Sequence, residues 1–71
     1  MIKYVIQSND SIFLHKRKYW SKSNNAWIHA DLCSPFVSDF FGVYYNTRQD
    51  AEKELENIFI ENPLATVESV F

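Results

Sequence analysis

A run of β-branched and aromatic residues opens the chain, apolar and polar positions alternate at its end, and a helical period appears once between them. Ile2-Lys3-Tyr4-Val5-Ile6-Gln7 is rich in β-branched and aromatic residues, which suit a pleated surface, and the turn-forming Ser8-Asn9-Asp10-Ser11 follows it. Ile12 to Trp20 begins apolar and turns basic, as a strand does when it runs out of a core, so the two segments predict a β-hairpin. Ser21 to Asn25 reads as a second turn and Ala26-Trp27-Ile28-His29 as a short third strand. Asp31 to Asp39 has no period, and Pro35 lacks the amide hydrogen a central ladder needs, so an irregular excursion is expected there. Phe40 to Tyr45 resumes β character.

Thr47 opens the one helical segment, with its hydroxyl placed to cap the amide of Asp50. Ala51, Leu55, Ile58 and Phe59 follow at i, i+4, i+7 and i+8, which puts them on one stripe facing the core, and the helix is expected to run to about Glu61. Asn62-Pro63 ends it, because a residue before proline is pushed out of the helical region. Ala65 to Phe71 alternates as a last strand. The order β-β-(β)-β-α-β predicts a single α+β domain over residues 1–71, a mostly antiparallel sheet of three to five strands with one helix on one face.

Composition adds a constraint on stability. A chain of 71 residues removes only about 60% of its unfolded surface from water, so its margin is thin. Six Phe, four Tyr and two Trp enlarge the core with few rotatable bonds, yet more rings are present than such a core can hide. The lone Cys33 leaves no internal disulfide, no export signal opens the chain, and no apolar run approaches the roughly 20 residues of a membrane span, so a cytoplasmic protein away from membranes is expected.

Net charge is −2, but it is unevenly placed. Residues 1–30 carry Lys3, Lys16, Arg17, Lys18 and Lys22 against Asp10 alone, whereas residues 31–71 carry eight acids against Arg48 and Lys53. The acids Glu52, Glu54, Glu56 and Glu61 read as a solvated helix face, with recognition of a basic protein patch as the functional alternative.

Catalytic and metal chemistry find little support. His29, Asp31 and Cys33 gather ligand types within five residues, but only His15 remains to complete a zinc site. A nucleophilic Cys33 would need a base held by a third group, and with Gly42 as the single glycine there is no glycine-rich phosphate loop. No enzyme, metal or cofactor is therefore expected. Lys16, Arg17, Lys18, Tyr19, Trp20 and Lys22 interleave cations with rings, a combination that neutralises phosphates and stacks on bases, or guards a hairpin edge from aggregation. Phe36 and Phe40, beside Pro35 and Phe41, are rings in a stretch without period and are candidate partner anchors.

Lys3-Tyr4-Val5-Ile6, the Trp27 region, Asp50-Ala51-Glu52-Lys53-Glu54-Leu55 and Ala65-Thr66-Val67-Glu68 together resemble small accessory proteins of tailed bacteriophages. That resemblance spans most of the chain. It implies action without catalysis, by binding and blocking a host enzyme or defence complex as anti-CRISPR and anti-restriction proteins do, and it carries over no individual residue. A bacterial host protein is thus the expected partner, nucleic acid bound through the basic aromatic hairpin is the alternative, and strand-edge pairing leaves homodimerisation open.

Overall fold

Strand β1, Lys3–Gln7, forms on the run Tyr4-Val5-Ile6 of aromatic and β-branched residues, and it becomes an inner strand of the sheet. The computed structural model describes residues 2–9, 17–33 and 41–70. Strands β2, Lys18–Ser21, and β3, Ala26–His29, precede helix α1, Arg48–Ile58, and strand β4, Thr66–Val70. The sheet order is β3-β2-β1-β4 and each neighbouring pair is antiparallel, so the expected α+β architecture is present. Among the described residues no helix is long and apolar enough to cross a membrane.

Register explains how so short a chain builds two cores. Strand β4 pairs with β1 along its whole length, from Lys3 opposite Val70 to Gln7 opposite Thr66. The other edge of β1 is shared: Gln7 faces Tyr19 of β2, and Tyr4 exchanges two backbone hydrogen bonds with Tyr45 at 3.0 and 2.8 Å. Alternation then sends neighbouring residues to opposite faces. Ile6 and Trp20 pack with Tyr45, Ala51 and Ala65 under the helix, while Val5 and Tyr19 pack with Val43 on the far side.

That second core accounts for one difference from expectation. The β segment expected from Phe40 to Tyr45 is reduced to the single bridge at Tyr45, and Phe40 lies outside the described residues. Phe41 and Val43 pack against Val5 and Tyr19 from beyond the sheet, which they could not do while lying in its plane. A short 3-10 turn, Ala30–Leu32, follows β3, and Ala30 and Cys33 pack against the same cluster.

Ser21 departs from the expected turn: it is the last residue of β2 and fully buried. Its hydroxyl donates to the Phe41 carbonyl and accepts from the Asn24 amide at 3.2 Å, which satisfies it without water. The Asn24 side chain also donates to Phe41, at 3.1 Å. The turn from Lys22 to Asn25 is thereby tied to the segment covering the second core.

The helix begins where the sequence places it, with Thr47 extended and its Oγ1 accepting the Asp50 amide at 3.1 Å. It ends at Ile58, about a turn earlier than Glu61; residues 59–61 form turns, and the Asn62 amide and side chain both donate to the Ile58 carbonyl at 3.0 Å. Thr47→Ala should destabilise the chain by about 1 kcal/mol. In a domain of this size the loss lowers the melting midpoint by about 4–8 °C; an unchanged midpoint in circular dichroism would show that the cap carries no stability.

Candidate protein-interaction surface

Within the basic segment the described residues Arg17, Lys18, Tyr19, Trp20 and Lys22 differ in exposure. Lys16 lies outside the described residues, as do Phe36 and Phe40. Arg17 and Lys18 are half-buried, and the Arg17 guanidinium sits 5.8 Å from the Tyr19 ring centre. Tyr19 and Trp20 are both core residues, one in each cluster, so neither ring is free to stack on a base. Lys22 is exposed at the far end of β2, about 13–17 Å of strand from Arg17.

The acidic helix face needs a correction at one position. Glu52, Glu56 and Glu61 are exposed, and Glu52 meets Arg48 at 4.0 Å, a contact of little energetic consequence in solvent. Glu54 instead is 9% exposed. Its Oε2 accepts the Trp20 indole N–H at 2.8 Å and its Oε1 accepts from Asn57 at 3.2 Å. Ala51, Glu54, Leu55 and Ile58 make an i, i+3, i+4, i+7 stripe, so position 54 belongs to the core side by spacing and is polar because a buried indole needs an acceptor.

Glu54 also borders a polar cleft of about 450 Å³ between the Lys22 turn and the helix. Lys22 and Lys53 face Asp50 and Glu54 there, so both signs are interspersed and neither a phosphate nor a cation meets a field of one sign. On the opposite side His29 and Asp31 are exposed, and the Cys33 thiol donates to the His29 carbonyl at 3.6 Å. Among the described residues no three His, Cys, Asp or Glu side chains are grouped to hold a metal ion.

Among the described residues, large apolar side chains meet solvent singly at Ile2 and Leu32 and three times in the connection between α1 and β4. Phe59 is 50% exposed, Ile60 92% and Leu64 61%. Beside them Trp27, Pro63 and Leu64, with Ser8, Glu61 and Asn62, enclose a smaller cleft of about 170 Å³. The sequence reading placed Phe59 on the core stripe and missed Ile60 and Leu64. Its available signal was Ile60, nine positions after Ala51 and so about 180° around a continued helix, where nothing in the core could meet it.

Comparison with protein-family models, with curated proteins and with solved structures returned no match to this chain.

Proposed function

We propose that this chain is a non-enzymatic interaction protein of phage or prophage origin, which binds a bacterial host protein in the cytoplasm and modulates or inhibits it. The observation that carries the reading is the exposure of Phe59, Ile60 and Leu64 within six residues. A scattered apolar side chain on a surface needs no explanation, but three together beside a cleft have the character of a binding patch. The resemblance to phage accessory proteins supplies the host and the blocking mode.

Burial of Tyr19 and Trp20 favours this reading over nucleic acid, since base stacking by either ring would require it to leave the core. Tagged protein drawn from bacterial lysate, with and without nuclease, is the test. The expected result is one bacterial protein retained in stoichiometric amount after nuclease and at raised salt. Loss of all partners on nuclease treatment would reject protein binding, as phosphate contacts also weaken steeply with salt.

A further inference from the structure

The apolar patch lies in the most acidic part of the sequence. From Glu54 to Phe71 there are four glutamates and no Lys, Arg or His. Glu56 and Glu61 are exposed on either side of Phe59 and Ile60. Glu61 also lines the small cleft with Trp27, Pro63 and Leu64, and none of the described residues lining it is basic. The cleft volume, about 170 Å³, is close to the roughly 150 Å³ of an apolar cavity that holds one benzene ring. One ring, one branched side chain or the stem of one arginine would fill it.

From this we infer that the α1–β4 connection is the docking site for a partner segment of basic amphipathic character, whose apolar side chains cover Ile60 and Leu64 while Lys or Arg residues meet Glu61 and Glu56. The inference rests on the protein-binding reading above and names the site and the chemistry of its partner. Charge selects this occupant over a second copy of the chain. In a two-fold dimer through the patch, Glu56 and Glu61 of one copy would face the same acids of the other, and like charges in contact oppose association. A basic segment converts the same carboxylates into attraction, and an arginine entering the cleft gains the face of Trp27 as well. Helix-in-groove binding is the recurrent form of such contacts, with anchors at i, i+3 and i+4.

The test uses the full chain, isotope-labelled, and two synthetic helical peptides that share leucines at i, i+3 and i+4. One peptide carries arginine at the remaining positions and the other glutamate. The arginine peptide should bind saturably, shifting amides between Glu56 and Ala65 and the indole N–H of Trp27. The Trp20 indole, held by Glu54, should not move. Ile60→Glu and Leu64→Glu should each weaken binding at least about tenfold, as should the charge reversal Glu61→Lys. All three positions are exposed, and matching melting curves would confirm that the variants fold. Equal binding of the glutamate peptide, shifts centred elsewhere, absence of saturable binding, or dimerisation of the free chain through residues 59–64 would each overturn the inference. The lysate experiment separates the two levels of failure: a bacterial protein retained equally by wild type and by Leu64→Glu rejects this site and leaves protein binding standing.

Discussion

Trp20→Ala should remove a large share of the stability of the fold. Trp20 is 7% exposed, packs with Ile6, Tyr45, Ala51 and Ala65, and meets Trp27 edge to face with ring centres 5.3 Å apart. Truncating a buried Trp costs about 3–5 kcal/mol. Total stability for 71 residues, at 0.05–0.15 kcal/mol each, is about 4–11 kcal/mol, so one substitution removes about a third of it or more. The indole hydrogen bond then separates packing from polar satisfaction. Glu54→Ala keeps the ring but leaves its N–H buried without an acceptor, a loss of about 1–3 kcal/mol, whereas Glu54→Gln keeps an acceptor and should lose less. Trp20→Phe combined with Glu54→Leu removes donor and acceptor together, and its loss should fall well short of the sum of the two single changes. Urea midpoints measured at constant m-value report these variants together with the single changes Trp20→Phe and Glu54→Leu that close the cycle. A Trp20→Ala protein as stable as wild type, or strict additivity in the cycle, would remove Trp20 and its bond from the account of the core.

The parts of the fold that were legible in sequence are those decided by local physics. Thr47 and Asp50 sit three positions apart in a pattern whose geometry is set within one helical turn, and the structure contains that hydrogen bond. The β-branched and aromatic run Tyr4-Val5-Ile6 identifies a strand whoever its neighbours are. What escaped was decided by partners distant along the chain. Glu54 looks like one more helix acid until Trp20, 34 residues earlier, is known to point at it. Ser21 looks like a turn residue until the Phe41 carbonyl, 20 residues later, is known to need a donor. Phe41 and Val43 read as strand because β propensity records fit to a half-buried surface, and here that surface is the far side of the sheet. The direction of the side chains in the basic segment was hidden for a related reason. Cations and rings at Arg17 to Trp20 catch the eye, yet β pairing turns both rings inward, while Phe59, assigned inward by helical period, emerges where the helix stops early.

Gly42 is the position where a single added methyl should be felt across both halves of the molecule. Its φ is +66°, in the left-handed region that disfavours a side chain by about 1–2 kcal/mol. Among the described residues that region is used twice more, at Asn9 and Asn25, and there the residue is asparagine, which tolerates it better than most side chains. Space is short as well: a Cβ at Gly42 would overlap the Ser23 hydroxyl and come within 3.6 Å of the Ser21 Oγ. Ser23 is exposed and can swing aside, so Gly42→Ala should lose about 2 kcal/mol, most of it from the backbone, and Gly42→Val about 3 kcal/mol because branching adds to the strain. Adding Ser23→Ala to Gly42→Ala should recover only the steric share. Gly42 adjoins Phe41, whose carbonyl holds Ser21 and Asn24, so the lesion should also loosen the Lys22–Asn25 turn. Amide exchange at Asn24 and Asn25 should then quicken before exchange in β1 and β4 does. Full recovery of stability by Ser23→Ala would assign the whole effect to crowding and none to the left-handed backbone.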